Sequence, residues 1–376
     1  MRARRPIGRA VAPLYAIALL LAACSTTDKP KPKPLEPLTP QNVAAVAWSQ
    51  NIGAIKFPLT VAVAGGAFTI ASSDGTVAAI DIQSGRDRWR AQLGTTISAG
   101  AGSDGRFAAV VTQGGELVTL EGGQVKWRKP VGTRVATAPL VAGERVFVLG
   151  VDRTVQAFDA LDGRKLWTFQ RPGDPLTLAQ SGVLAPFKNT LIVGQGPRLA
   201  GLDPLNGSVR WEVPIGAPRG ANEVERLADL VGPVARVGNV LCARSFQAAV
   251  GCVDAERGSL AWTKNIGGTD AIWADADYVY AADATDRMTA WRFDGSAVAW
   301  ASDALQYRGL SAPAVLGSSV VFGDADGMLH WLSRDKGEAQ LRLPTDGSAI
   351  TVPPVVSSGT LLVVTRSGGL FAFRGR

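Results

Sequence analysis

Few side chains in this 376-residue chain have the type and spacing that chemistry requires. The single histidine, His330, lies in the alternating run Met328-Leu329-His330-Trp331, with no second histidine for a metal pair and no partner for a catalytic triad. It reads as a structural histidine, in the core or facing a channel. No phosphate-binding loop, dinucleotide fingerprint or HExxH pattern occurs. Asp-Gly pairs recur at Asp74-Gly75, Asp104-Gly105, Asp162-Gly163 and Asp326-Gly327, which raises the question of calcium. None has the spacing of a twelve-residue calcium loop, and turn chemistry accounts for them. The expectation is a protein with no catalytic residue, no metal and no cofactor.

The three cysteines divide by context. Arg2, Arg4, Arg5 and Arg9 precede an apolar run from Val11 to Ala23, too short to span a membrane with ease, which is the pattern of a secretory leader. It ends Leu21-Ala22-Ala23-Cys24, the spacing of a bacterial lipidation site with Cys24 as the acylated residue; the alternative is an ordinary leader. Ser25 follows, rather than the aspartate of inner-membrane retention, so an outer-membrane anchor is expected. Several acyl chains on one cysteine hold firmly where a single chain binds only marginally. Cys242 and Cys252 flank a hairpin turn near Gln247 and fall opposite each other on adjacent antiparallel strands. In an exported protein they are expected to form a cross-strand disulfide, the alternative being two buried thiols.

Between leader and body, residues 24–45 carry Lys29, Pro30, Lys31, Pro32, Lys33, Pro34, Pro37 and Pro40. This composition buries no core and predicts a solvated, semi-extended tether. The formal charge of +7 falls to about +3 when the four leader arginines depart, since 35 basic residues then face 32 acidic ones. That balance, with no basic run interleaved with aromatics outside the tether, argues against nucleic acid. The 46% hydrophobic content supplies core for one large domain.

The elements that would position any site follow from a repeat. Tryptophans recur at Trp48, Trp89, Trp127, Trp167, Trp211, Trp262 and Trp300, with Leu341 in the eighth place, at intervals of 41, 38, 40, 44, 51, 38 and 41 residues. Each closes a similar phrase, such as Thr76-Val77-Ala78-Ala79-Ile80-Asp81 through Gly85 to Trp89. A glycine stands four residues before the aromatic position in every complete copy except that of Trp300, where Ser296 does and Gly295 is one place earlier. This is a short alternating strand, a tight turn, and a second strand carrying an apolar anchor. Central hairpin turns are expected near Asp74, Gly114, Asp152, Gly196, Gln247, Asp286, Asp326 and Gly368. No long stretch has helical periodicity. Four strands per unit at this period predict an all-β fold, an eight-bladed β-propeller of four-stranded antiparallel blades over residues 46–376. The last unit stops after Leu370–Phe373 and the first begins with the orphan strand Val46–Trp48, so the N-terminal strand is expected to close the last blade.

The Asp-x-x-x-Gly-x-x-x-Trp phrase resembles the repeat of quinoprotein dehydrogenases, which are eight-bladed propellers binding pyrroloquinoline quinone. Their adjacent cysteine pair and calcium site are not found here, and they are usually much longer. From Cys24 to Arg376 the chain is more similar to the BamB family of outer-membrane assembly lipoproteins. The marks are Glu223-Val224-Glu225-Arg226-Leu227-Ala228-Asp229, inside the longest interval, and Gly323-Asp324-Ala325-Asp326-Gly327-Met328-Leu329-His330-Trp331. The resemblance implies a non-enzymatic scaffold on the periplasmic face of the outer membrane. It would bind BamA through its POTRA domains, alongside other components of the β-barrel assembly complex. The family's contact patch has two alternating leucines followed by an arginine, which maps to Leu176 and Leu178 with Ala179 in the arginine position. It also has two aspartates one residue apart, which maps to Asp229 with Val231 in the second place. On this reading the leucines form an apolar centre, and Arg226 and Asp229 set orientation. Without the resemblance, the leucines read as strand core and Asp229 as a turn residue. Contact of the propeller rim with nascent barrel proteins is a further expectation. The competing function is a periplasmic quinoprotein-like dehydrogenase or a propeller binding a small ligand in its channel.

Overall fold

The computed structural model describes residues 30–171, 177–218 and 220–376. Among these, 32 strands, numbered β1–β32 in chain order, form eight four-stranded antiparallel sheets, and no helix is present. Seven sheets are continuous runs, 62–92, 97–130, 140–169, 184–214, 230–264, 273–302 and 314–344, which we number blades 1 to 7. Within each, the strands lie side by side in chain order, and first strands of neighbouring blades meet around the axis. Blade 8 takes β30 (Val355–Ser357), β31 (Thr360–Val364) and β32 (Gly369–Gly375) from the end of the chain. Its fourth strand is β1 (Ala44–Asn51), paired antiparallel with β32 from Ala44↔Gly375 to Asn51↔Gly369. The closed ring of eight predicted from the repeat therefore forms, and all eight central hairpin turns fall where expected.

The sequence pattern differs along each blade because burial does. Second and third strands are covered on both faces and read as continuous apolar runs, as in Phe107–Thr112, buried throughout. Fourth strands form the rim and alternate, as in Asp87–Gln92. The core is divided into eight apolar clusters, one for each interface between adjacent blades. The cluster joining blades 8 and 1 contains Leu362, Leu370, Phe68 and Ile80, so the seam is packed like the other interfaces.

The repeated tryptophan and glycine form one latch. The indole of each rim tryptophan lies on the glycine of the next blade's outer turn. A Cβ on Gly163 would stand 2.7 Å from Trp127, and one on Gly258 would stand 2.6 Å from Trp211. These glycines also have φ near +70°, so the position requires glycine on two counts. The indole N–H then donates to a carbonyl of the same turn: Trp127 to Ala160 at 2.8 Å, Trp167 to Pro204 at 3.0 Å, and Trp300 to Arg334 at 2.8 Å. In the exceptional copy it is Gly295, not Ser296, that meets Trp262. Leu341 breaks the series for a physical reason. The turn it would latch is the seam itself, where β32 ends and β1 begins, so no turn glycine exists to receive an indole. Leu341 packs instead with Ala44 and Phe373.

Within each blade, the turns joining first to second and third to fourth strands lie on one face of the ring, here the turn face. The central hairpin turns and interblade loops lie on the other, the loop face. The tether differs from expectation. A solvated spacer is predicted over 24–45, but residues 33–41 lie against blade 7, with the Lys33 amide donating to Gln306 O at 2.9 Å and the Gln41 amide to Gln340 O at 2.8 Å. Leu35 accounts for it, packing against the cluster between blades 6 and 7.

Cys242 and Cys252 are directly opposed on the second and third strands of blade 5 and are joined as a disulfide. Both are fully buried. Cys24 and the leader expected over residues 1–23 lie outside the described residues.

Candidate partner-binding site

Two interblade loops on the loop face, 170–183 between blades 3 and 4 and 215–229 between blades 4 and 5, converge on Asp229. One carboxylate oxygen, Oδ1, accepts from Arg153 Nη2 at 3.0 Å, and Oδ2 accepts from the Leu178 amide at 3.1 Å. Arg153 belongs to the central turn of blade 3, so one carboxylate joins three blades. Both side chains of the ion pair are largely covered, at 18% and 15% exposure. Asp229 is therefore an internal staple that sets loop geometry, a different role from the rim charge the resemblance implies. The backbone continues the connection, with Gly232 N donating to Ser181 O at 2.9 Å and Leu230 N to Gly196 O at 2.9 Å.

The outer part of the second loop is a self-capped turn. Glu225 N donates to Asn222 Oδ1 at 2.9 Å, while the Glu225 carboxylate accepts from the Ala221 amide at 2.7 Å and Asn222 Nδ2 at 2.8 Å. This reciprocal arrangement is similar to a capping box, with the Ala221 amide and the Asn222 side chain in place of the capped residue's own amide. It holds Arg226 exposed and presents Val224 at 68% exposure. Leu178 is half-buried and borders the staple, while Leu176 lies outside the described residues. Val231 is buried in the first strand of blade 5, opposite Arg244, so the family's second aspartate position is core here and offers a partner nothing. Beside the loops lies a cavity of about 860 Å³ lined by Phe57, Pro58, Arg134, Val135 and Leu178.

Two residues of this patch escape sequence reasoning. Val224 stands inside the quoted phrase but is marked by nothing except its neighbours. Arg153 had a signal: in five sister turns its place is taken by Gly75, Gly115, Gly196, Gly327 or Gly368, all at positive φ, and Arg153 holds φ +64°. A large residue retained in that strained region points to a side chain with work elsewhere.

His330 is not part of any open site. It lies buried in β28 (Met328–Ser333) with Nε2 2.9 Å from Asp324 Oδ2. Asp324 is fully buried and also accepts from Arg308 Nε at 2.9 Å and the Met328 amide at 2.9 Å. Burial pushes the Asp324 carboxyl up, but its bonds from His330, Met328 and Arg308 outweigh this and leave it below the usual carboxylate range. Arg244 is a second buried ion, donating to carbonyls of Asp270 and Ala282, each at 2.6 Å. Desolvation lowers its pKa to about 10, against the nearby Asp270 and Asp283 charges. The repeated Asp81, Asp159, Asp203 and Asp254 each cap their own turn, as Asp254 does for the amides of Glu256 and Arg257. Among the described residues no group of three or more His, Cys, Asp or Glu side chains is placed to hold a metal, and no adjacent cysteine pair exists in the sequence. The residues present thus do not fit a calcium-bearing quinone site.

Fold and site together define an eight-bladed propeller of quinoprotein-type repeats whose loop face carries a stapled patch. Residues 73–302 match a family profile described as outer membrane protein assembly factor BamB. The BamB of Bordetella pertussis is 35% identical over 95% of this chain and 94% of its own length, and that of Burkholderia pseudomallei is 34% identical over 96% of each. The chain belongs to the BamB family. The crystal structure of BamB from Moraxella catarrhalis superposes with a TM-score of 0.79 at 23% identity, covering 88% of this chain and all of that one. A quinohemoprotein alcohol dehydrogenase from Comamonas testosteroni gives 0.66 at 16% identity, covering 88% and 76%. At these identities both are likenesses of fold.

Proposed function

We propose that the protein is a non-enzymatic scaffold of the outer-membrane β-barrel assembly complex that docks on the POTRA domains of BamA. Cys24 would carry the lipid that holds it on the periplasmic face of the outer membrane. Family membership supports the assembly role. The patch is supported by one observation above others, the Asp229 carboxylate holding both Arg153 of blade 3 and the Leu178 amide. A preformed patch loses little entropy on docking. Leu178 and Val224 would supply its apolar contact, and Arg226, which forms no ion pair among the described residues, its steering charge.

The test is co-purification of BamA with the lipidated protein. Arg226→Glu and Val224→Asp are expected to lower BamA recovery several-fold with far-ultraviolet circular dichroism unchanged, because both side chains are exposed. Asp229→Ala is expected to do the same indirectly by releasing the Leu178 amide. Full recovery in all three variants would move the partner to another face. A dye-linked dehydrogenase activity on adding quinone and calcium would instead favour the enzymatic reading. The propeller rim is the place where nascent barrel proteins would make contact by strand addition, and crosslinks from it to an unfolded barrel protein would test that.

A further inference from the structure

We propose that residues 33–41 form a docked strap that shortens the lipid leash and orients the propeller, turning the loop-face corner at blades 6 and 7 toward the bilayer. This rests on the reading of Cys24 as the lipid anchor. The strap has contacts along its length. The Lys33 amide donates to Gln306 O at 2.9 Å, its ammonium meets Asp303 at 3.1 Å, and its carbonyl accepts from Arg308 at 3.4 Å. Leu35 inserts beside the apolar cluster of Leu305 and Leu310. Arg342 then donates to Glu36 O at 2.6 Å, and the Gln41 amide reaches Gln340 O at 2.8 Å. Pro34, Pro37 and Pro40 have preset φ and no N–H to satisfy, so little chain entropy is lost when the segment docks.

The path has a geometric consequence. Gln306 and Arg308 belong to the interblade loop between blades 6 and 7, on the loop face. Gln340 is the second residue of the fourth strand of blade 7 (Ala339–Pro344), near the turn face. The chain therefore descends the outside of blade 7 and doubles back as β1. Were the strap free, the leash would run from Cys24 to Ala44 and leave from the turn face. At about 3.6 Å per residue it would reach about 70 Å. With the strap docked, nine residues separate Cys24 from Lys33, a reach of at most about 32 Å from the opposite face. The two arrangements point the propeller in opposite directions. The docked one places the patch of blades 3 to 5 on the same face from which the lipid departs.

The experiment uses the full lipidated protein in phosphatidylethanolamine–phosphatidylglycerol vesicles containing an acceptor-labelled lipid. A donor dye is attached in turn to Ala284→Cys, exposed in the central turn of blade 6, and to Glu144→Cys, exposed on the turn face of blade 3. Energy transfer to the lipid is expected to be higher from position 284 than from 144. In a Lys33→Asp/Leu35→Asp background, whose single cooperative melting shows the ring intact, the difference should be lost. Flotation with equal transfer from both positions overturns the orientation alone, as does a difference that survives in the double variant. Failure to float with the vesicles overturns the anchor reading and the orientation with it.

Discussion

Asp229, Asp286 and Asp324 show how single side chains in this protein connect blades. Each reaches beyond its own blade or turn: Asp286 caps the amides of Gly309 and Leu310 in the next interblade loop at 2.7 and 3.1 Å, as Asp229 caps Leu178. Such partners were not legible in the sequence, because Arg153 and Asp229 are 76 positions apart and no periodic signal links them. Nor could Val231 be placed in the core before the strand's register was known. Asp324 gives the sharpest test at this scale. Its folded pKa lies below the ordinary 3.8, so the group stabilises the fold above that value and the contribution is lost as pH falls through the folded pKa. Asp324→Asn is therefore expected to lower the melting temperature at neutral pH, by the equivalent of about 3 kcal/mol, because Arg308 loses its buried carboxylate and keeps only the exposed one of Asp326. The deficit should narrow as pH falls below 3.8, where the unfolded chain takes up the proton first, and vanish below the folded pKa, where the native protein loses the same charge. Melting curves of both proteins from pH 7 to pH 3 decide it, and a deficit that stays constant across the range would refute the assignment.

Elements were far more legible than side-chain pairings, because the tryptophan–glycine latch imposes the same local chemistry on every blade. The Asp-x-x-x-Gly-x-x-x-Trp phrase announces a turn in the left-handed region, and the blade order follows. The docked strap was not legible: its proline and lysine content is that of a solvated linker, and only its contacts reveal Leu35 as half-buried against blades 6 and 7. The latch can be tested by comparing two glycines with similar backbones. Gly163 has φ +72° with the Trp127 ring against it, while Gly143 has φ +58° and open space around it. Gly143→Ala should cost about 1–2 kcal/mol, the strain of a left-handed alanine. Gly163→Ala should add roughly 1–3 kcal/mol, because the methyl displaces an indole. Denaturant midpoints of the two variants measure the gap, and equal midpoints would show that the tryptophan does not depend on the glycine.

Across the whole molecule, the ring is held by a single strand borrowed from the far end of the chain. The orphan tryptophan strand and the truncated last repeat made this closure readable, and β1 supplies it through two interfaces at once. Along one edge it pairs with β32 over its full length. Across the seam, Trp48 donates to Ile82 O at 3.0 Å and covers Gly85 in blade 1. Gln50 adds a bond to Gly85 O at 2.8 Å. Removing β1 thus uncovers the backbone edge of β32 and strips the latch from blade 1 together. An exposed edge strand recruits other chains. A chain beginning at Ile52 is expected to melt well below the native protein and to elute as oligomers. One beginning at Val43 should remain a monomer with only the strap's contribution missing. A synthetic peptide of residues 43–51 added to the shorter chain should restore the monomer, since the groove it fills is preformed by blades 8 and 1. Size-exclusion chromatography with and without the peptide separates the cases. A monomeric chain starting at Ile52 with native melting would mean that inter-blade packing alone closes the ring.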